Sequence, residues 1–367
     1  MAYIIANPKW VVIRIIIICF FMQSRVYTSL LSQQQVSCLF FFGASLTDNG
    51  NNNILSTLLK ANYLPYGIDF PAGPTGRFSN GQNIPDFIAK LLGFSKPIPP
   101  FATATGSDIV KGVNYASAGA GILNETGKAL GDNISMNKQL SNHQITISRL
   151  ATLLGPSQVQ AYLNTCVYTV EMASNDYVNN YIQPQNYPST ASFTPDQFAA
   201  FLIQQFTTQL QHVQALYTSG ARKVAIYGLA QLGCIPQVLT MFPANASGCV
   251  DFVNDYVQLF NNRLKPLVDN LNANLAGAIF TYINISSISS INPSNLGITI
   301  LNSPCCVVSS VGVCVPNRAP CIDPDLHIFF DNYHTTEIVN AIIAYRSYKS
   351  LLPNDAYPYD IKHLAQQ

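Results

Sequence analysis

Short apolar segments alternate along this chain with longer segments in which apolar residues recur at helical spacing. The short ones are rich in β-branched or aromatic residues, are bounded by turn-forming residues and predict strands. The five predicted strands span residues 36–42, 112–116, 167–172, 223–227 and 278–283. The helical patterns predict five main helices, over residues 84–92, 137–154, 194–219, 250–275 and 335–351. Thr194 and Pro195 mark a capped helix start, and Gly220 marks its end.

Strands that alternate with helices predict a parallel sheet covered by helices on both faces. We therefore expect an α/β fold, a three-layer α/β/α sandwich with a five-stranded parallel sheet. The sequence shows no internal repeat, charge run or linker that would divide it, so one domain over residues 30–367 is the better interpretation.

The first 29 residues have the layout of a signal peptide. Lys9 and Arg14 precede the apolar run IIIICFFM, which polar residues follow. This run is too short to span a bilayer, although an uncleaved anchor is the alternative. The pattern predicts secretion, with cleavage near residues 26–28 or shortly after, and no stable membrane anchor. The destination would be the cell wall or apoplast.

Two further patterns are typical of a secreted chain. Four N-x-Ser/Thr motifs predict glycosylation at Asn124, Asn133, Asn245 and Asn284. The cysteines at 305, 306, 314 and 321 cluster in a loop that reads as stapled by disulfides, with zinc as the alternative. Cys234 and Cys249 flank another loop and could pair, whereas Cys38 and Cys166 sit in apolar runs and are interpreted as buried thiols.

The charge pattern favours no macromolecular partner. Net charge is +1, only 10% of residues are charged, and no basic patch suggests nucleic acid. The oligomeric state is left open.

Polar and small residues follow the predicted strands where a parallel sheet places its ligand sites, beyond the carboxyl ends. Ser45 follows the first strand, residues 117–121 follow the second, and Asn175 follows the third. Asp331 and His334 stand before the last main helix. We expect these residues to meet at one edge of the sheet.

These residue types can support nucleophilic catalysis. A serine hydroxyl needs a base, and His334 can act as the base while Asp331, three residues earlier, orients its ring. An oxyanion could be bound by the Ser45 amide, a backbone amide of residues 119–121 and the Asn175 side chain. His334 is chosen from five histidines by its placement. The other four lie in polar helical stretches, the tail, or a position without an acid at the same spacing: His143, His212, His363 and His327.

The residues disfavour two cofactor interpretations. The glycine stretch from Gly119 to Gly121 lacks the third glycine of a dinucleotide fingerprint. A metal site would use a set of residues with no two-histidine helical spacing: Asp323, Asp325, His327, Asp331 and His334. The proposed chemistry itself requires no cofactor or metal.

Seven segments along the chain resemble those of plant GDSL esterase/lipases of the SGNH hydrolase superfamily. They read FFFGASLTDNGNNN, YLPYGIDFPAGPTGRFSNGQNIPDFIA, GVNYASAGAGIL, EMASNDYVNNY, GLAQLGCIP, CCVVSSVGVCVPNRAPC and FFDNYHTTE. The resemblance is close to full length. It implies a flavodoxin-like sandwich and ester hydrolysis by Ser45, His334 and Asp331. Ser45, Gly119 and Asn175 would form the oxyanion hole.

Three positions depart from the family pattern. Ala44 replaces the aspartate of Gly-Asp-Ser-Leu, Ala173 replaces the glycine of Gly-x-Asn-Asp, and Phe330 replaces a tryptophan. In the family, the aspartate would brace the nucleophile turn by hydrogen bonds, which the Ala44 methyl group cannot make. The methyl group of Ala173 would crowd the oxyanion pocket if residue 173 needs a positive φ. We therefore expect a secreted serine esterase, attenuated by Ala44, and a gain of activity in Ala44→Asp would show that attenuation. A non-catalytic binding glycoprotein and an acyltransferase are the alternatives.

Overall fold

The structure is a computed structural model that describes residues 34–218, 220–290 and 292–367. The predicted signal peptide, with Lys9 and Arg14, lies outside the described residues, as does Cys19.

The sheet contains all five predicted strands. Their bounds are β1 Leu39–Gly43, β2 Gly112–Asn114, β3 Val167–Glu171, β4 Lys223–Tyr227 and β5 Ile279–Ile283. They pair in parallel in the order β2-β1-β3-β4-β5. The expected count of five was wrong, because β6 (Ala356–Tyr357) adds an antiparallel edge to β5. A strand of two residues carries no alternating pattern for the sequence to show.

Helices cover both faces of the sheet. Their bounds are α1 Ile84–Leu91, α2 Met136–Leu154, α3 Pro156–Leu163, α4 Pro195–Thr218, α5 Pro236–Met241, α6 Asp251–Asn274, α7 Ile285–Ser289, α8 Glu337–Tyr348 and α9 Ile361–Gln366. The five predicted helices correspond to α1, α2, α4, α6 and α8. Thr194 caps α4 as expected, since its hydroxyl accepts from the Gln197 amide at 3.3 Å. Gly220 follows with a φ of 120°.

The side chains of β1 show why three layers form. Leu39 and Phe41 point into a core shared with α1, α7, α8 and α9. Phe40 and Phe42 point into a larger core shared with α2, α3, α4 and α6. A strand buried on both faces is apolar at every position, as LFFF is. The three-layer α/β/α prediction is confirmed.

Four disulfides join the eight described cysteines. Cys234 pairs with Cys249, and the clustered loop pairs as Cys305–Cys321 and Cys306–Cys314. The interpretation of Cys38 and Cys166 as buried thiols was wrong, because they form a disulfide. The register of β1 and β3 aligns Leu39 with Val167, so the residues just before them lie side by side, with Cα atoms 4.7 Å apart.

The described helices include none that is long and apolar enough to cross a membrane. Within the three described ranges, no three potential metal-binding side chains of His, Cys, Asp or Glu are grouped together.

The strand order places a crevice above β1 and β3. The chain leaves β1 towards β2 on one side and returns to β3 on the other, and ligands bind where such connections diverge. Ser45 follows β1 and Asn175 follows β3, so both lie at this crevice.

Candidate active site

Ser45 lies on a tight turn that Gly43 makes possible. A side chain at position 43 would come within 2.1 Å of the Thr47 hydroxyl. Gln139 of α2 holds the strand end, accepting from the Gly43 amide at 3.0 Å and donating to its carbonyl at 2.9 Å. Ser45 itself is half-buried. The turn therefore presents the serine at the sheet edge while its backbone is fixed from below.

Asp48 connects this turn to the loop after β2, a role that the sequence reasoning missed. One carboxylate oxygen accepts from the amides of Gly50 and Asn51, each at 2.7 Å. The other accepts from the Ala118 amide at 3.2 Å. Burial raises the pKa of Asp48 to about 6, although these backbone hydrogen bonds oppose the rise.

Asn175 is oriented by two hydrogen bonds. Its Nδ2 donates to the Ala120 carbonyl at 2.8 Å, and its Oδ1 accepts from Asn179 Nδ2 at 3.0 Å. These contacts fix which way the amide faces and leave its second N–H for another acceptor. Asn179 lies one helical turn further on, and the sequence reasoning did not single it out.

The two glycines of the stretch after β2 are closely packed against neighbouring side chains. Gly119 has a φ of 81°, and a Cβ there would lie 2.7 Å from Leu59. A Cβ on Gly121 would lie 2.5 Å from the Asp176 carboxylate. The Ala120 amide is already donated to the Ser117 carbonyl at 3.1 Å. This hydrogen bond argues against the Ala120 amide but does not choose between Gly119 and Gly121, so Gly119 stays a prediction as the oxyanion donor of this loop.

Asp331 and His334 form a buried pair. His334 Nδ1 lies 2.8 and 2.7 Å from the two Asp331 oxygens, and only 4% of His334 is exposed. The same carboxylate accepts from the Tyr333 and His334 amides at 2.8 and 2.9 Å. This arrangement puts the proton on Nδ1 and leaves Nε2 free to act as a base.

Tyr66 is a further partner of Asp331. Its hydroxyl donates to Asp331 Oδ2 at 2.5 Å and accepts from the Cys314 amide at 3.0 Å. Tyr66 is fully buried, so this polar contact lies inside the fold, and the sequence analysis did not single it out. The Tyr66 hydroxyl thus links Asp331 to the loop that the Cys306–Cys314 disulfide closes.

Glu171 lies between the turn that carries Ser45 and the segment that carries Asn175. Its carboxylate accepts from the Ala44 amide and from the Ser174 hydroxyl, both at 3.4 Å. Burial raises the pKa of Glu171, while these hydrogen bonds and the nearby His334 oppose the rise. The turn that carries Ser45, the segment that carries Asn175 and the ring of His334 are therefore all close to one buried carboxyl group.

A cavity of about 480 Å³ opens beside this site. Its lining includes the sequence neighbours of Ser45, Asn175 and His334, which are Leu46, Ser174 and Tyr333. The rest of the wall is mostly apolar and includes Ile235, Ile285, Ile288, Ile298, Phe329 and Ile342. Such a wall suits a hydrocarbon chain.

Ala173 has a φ of 91°, a conformation that L residues rarely adopt. Residue 173 therefore has the positive φ that favours the family's glycine, and the alanine at this position is strained. Ala173 is fully buried and lies two residues before Asn175.

The other sequence candidates lie elsewhere. His143 is buried among aromatic rings instead of facing solvent, and His327 contacts the Ser303 carbonyl at 3.2 Å. Asp323 and Asp325 are exposed and do not join Asp331. The side chain of His212 lies outside the part of the chain that the structure describes.

The four predicted glycosylation sites differ in accessibility. Asn124 and Asn245 are exposed, and Asn284 is half-buried as the cap of α7. Asn133 donates its amide to the carbonyls of Gly119 and Thr126 at 3.1 and 2.7 Å. A glycan on that nitrogen would remove contacts that hold the glycine loop, so we do not expect Asn133 to carry one.

The flavodoxin-like sheet, with a serine turn and a buried Asp–His pair at one edge, defines an α/β hydrolytic enzyme. Residues 39–346 match the family model described as GDSL-like lipase/acylhydrolase. Among curated proteins, a GDSL esterase/lipase of Arabidopsis thaliana is 46% identical over 98% of both chains. Two more from the same plant are 44% identical over 89% and 90% of this chain and 92% of their own lengths. This chain therefore belongs to the GDSL lipase/acylhydrolase family, and it is a carboxylic ester hydrolase.

Proposed function

We propose that this enzyme cleaves esters with an extended apolar acyl chain through an acyl-enzyme on Ser45. The observation that carries the proposal is the apolar cavity of about 480 Å³, which begins at residues adjacent to Ser45, Asn175 and His334. An acyl chain in this cavity would bring its carbonyl carbon to the serine turn. Acetyl esters would leave the cavity unused.

The proposed reaction proceeds in two displacements. His334 Nε2 takes the Ser45 proton as Oγ attacks the carbonyl carbon, and Asp331 stabilises the resulting imidazolium. The oxyanion is held by the Ser45 and Gly119 amides and the free N–H of Asn175. The C–O bond then breaks, and His334 returns its proton to the leaving alcohol. Water, deprotonated by His334, releases the acid and regenerates Ser45.

We further propose that the protein acts outside the cell. The support is the four disulfides among the described cysteines, which persist in oxidising compartments. Expression with the full N-terminus should release a protein that starts near residue 30, as read by N-terminal sequencing. Retention in the membrane fraction with residues 1–29 intact would contradict this.

The test of the activity uses the secreted, disulfide-bonded protein and p-nitrophenyl acetate, butyrate and octanoate. We expect kcat/KM to rise by about fourfold for each methylene that the cavity buries. Ser45→Ala should abolish turnover, while Ser141→Ala, an exposed serine on α2, should leave it unchanged. Turnover that survives Ser45→Ala would overturn the nucleophile assignment.

The cavity is tested separately by Ile342→Trp. Ile342 is half-buried and lines the cavity, so the added ring should lower octanoate turnover at least tenfold and acetate turnover less than twofold. Ile145→Trp on the exposed face of α2 is the matched control. An unchanged octanoate-to-acetate ratio would exclude this cavity as the acyl site.

Two alternatives remain as outcomes of these assays. Octanoate transfer to an added alcohol, detected as a new ester, would favour an acyltransferase. A parent protein that turns over none of the three esters would favour the non-catalytic glycoprotein.

A further inference from the structure

Glu171 occupies an unusual place for a carboxylate. It is the last residue of β3 and pairs in register with Gly43, the last residue of β1. Both neighbours of β3 are parallel strands, and only 6% of Glu171 is exposed. A buried carboxylate on a central strand costs free energy, so its position calls for an explanation.

The contacts of Glu171 join two loops of the site. Oε2 accepts from the amide of Ala44, the residue before the nucleophile. Oε1 accepts from the hydroxyl of Ser174, the residue before Asn175. One planar group thus connects the backbone that carries Ser45 to the segment that carries Asn175. Both hydrogen bonds measure 3.4 Å, so neither is strong alone.

Position 44 is where this chain lacks a carboxylate. Ala44 is 3% exposed, and its methyl group can accept no hydrogen bond. Glu171 delivers a carboxylate to the same turn from the neighbouring strand. An aspartate at position 44 would bring a second carboxylate into a buried space that already contains one, and like charges at short range destabilise each other.

We propose that Glu171 is a positioning residue, which takes the place of a carboxylate at position 44. It holds the turn that carries Ser45 and the segment that carries Asn175 at a fixed separation. The proposal rests on the proposed serine esterase function. It replaces the expectation that Ala44→Asp alone raises activity. One carboxylate, either that of Glu171 or that of an aspartate at position 44, supports the turn that carries Ser45. Two carboxylates in the same buried space would repel each other.

Four proteins test this: the parent, Glu171→Gln, Ala44→Asp and the double variant. On p-nitrophenyl butyrate, Glu171→Gln should lower kcat about tenfold with KM within twofold, because glutamine has a single acceptor oxygen and cannot accept from the Ala44 amide and the Ser174 hydroxyl at once. Ala44→Asp should also lower kcat about tenfold. The double variant should recover to within about threefold of the parent. Glu337→Gln, which loses a carboxylate that accepts from the Gln82 amide at 2.9 Å, should leave kcat unchanged.

Two results would overturn the proposal. One is a parental kcat in Glu171→Gln. The other is additive losses in the double variant, since a merely structural role for each residue predicts addition. The unfolding midpoints of the same four proteins supply a readout that does not need turnover. If the parent hydrolyses no ester but the midpoints still show recovery in the double variant, the esterase proposal fails and the positioning role stands. Additive midpoints would remove the positioning role as well.

Discussion

Two Asp-x-x-His segments in this chain have the same local geometry and different surroundings. In Asp331–His334 the shortest distance from Nδ1 to carboxylate is 2.7 Å, and in Asp360–His363 it is 2.6 Å. In both, the histidine amide donates to its aspartate at 2.9 Å. The sequence reasoning placed His363 in the tail and did not note that it shares the spacing.

The surroundings separate the two pairs. The His334 side chain is 5% exposed and its ring lies 4.7 Å from that of Phe78, whereas the His363 side chain is 60% exposed. Asp331 also accepts from Tyr66, while Asp360 accepts from the Ser350 amide and caps α9. Four residues of sequence are thus enough to form the pair. Whether the pair can serve catalysis depends on the elements packed around it.

The largest expected difference between the pairs is catalytic. Asp331→Asn should lower kcat by about 10³–10⁴, because an amide cannot stabilise the imidazolium or fix the ring tautomer. Asp360→Asn should change kcat less than twofold. Steady-state kinetics on p-nitrophenyl butyrate measure both, and comparable losses in the two variants would refute the distinction.

His143 extends the comparison to a histidine with no acid beside it. Its Nδ1 lies 3.0 Å from the Tyr115 hydroxyl, and Nε2 has no partner among the described residues. Burial lowers the pKa of His143 from 6.5 to about 3. The unfolded chain therefore binds this proton first, and stability is lost as pH falls from about 6.5 towards 3.

The variant His143→Gln should remove this acid sensitivity. It keeps an acceptor for Tyr115 and cannot titrate. We expect the parent to lose about 2 kcal/mol more than the variant between pH 7 and pH 5. Urea unfolding at several pH values measures this, and parallel stability curves for the two proteins would contradict it.

Tyr66→Phe tests the partner that distinguishes Asp331. Loss of the phenol should lower kcat about tenfold and stability by about 1–2 kcal/mol, since Asp331 and the Cys314 amide both lose a partner. Tyr63→Phe is the matched control, because its hydroxyl donates to the Cys314 carbonyl at 2.9 Å and does not contact Asp331. If Tyr63→Phe reduced kcat as much as Tyr66→Phe, the contact with Asp331 would not be the cause.

The smallest expected effect concerns the two non-glycine residues with a positive φ among the described residues, Ala173 and Asn317. Ala173→Gly should stabilise the fold by about 1 kcal/mol, because glycine adopts a φ of 91° without strain. Asn317→Gly, at a φ of 59°, should change stability by much less, since asparagine tolerates that region. Calorimetric midpoints measure both, and a lower midpoint for Ala173→Gly would show that its methyl group contributes packing that outweighs the strain.

The sequence predicted the elements well because their periodicity is local. The five parallel strands and five main helices follow from apolar spacing, and the position of Ser45 after β1 follows from the rule for parallel sheets. Tyr66 and Glu171 were missed because their roles depend on residues that are distant in sequence. The same reason explains the error at Cys38 and Cys166, since only the register of β1 on β3 shows that these residues are neighbours.

The disulfide between Cys38 and Cys166 bears on how the chain folds. It joins residues 128 apart in sequence, just before the start of β1 and of β3. In the chain-entropy model, closing this loop raises the free energy of the unfolded state by about 5 kcal/mol, because the cross-linked chain has fewer conformations. Parallel pairing between such distant strands forms slowly, and a slip of one residue would turn Phe40 and Phe42 to the opposite face. Once this bond has formed, the two strands that present Ser45 and Asn175 enter the sheet already aligned. Refolding of the reduced chain should therefore produce slipped, inactive sheets more often than refolding of the oxidised chain.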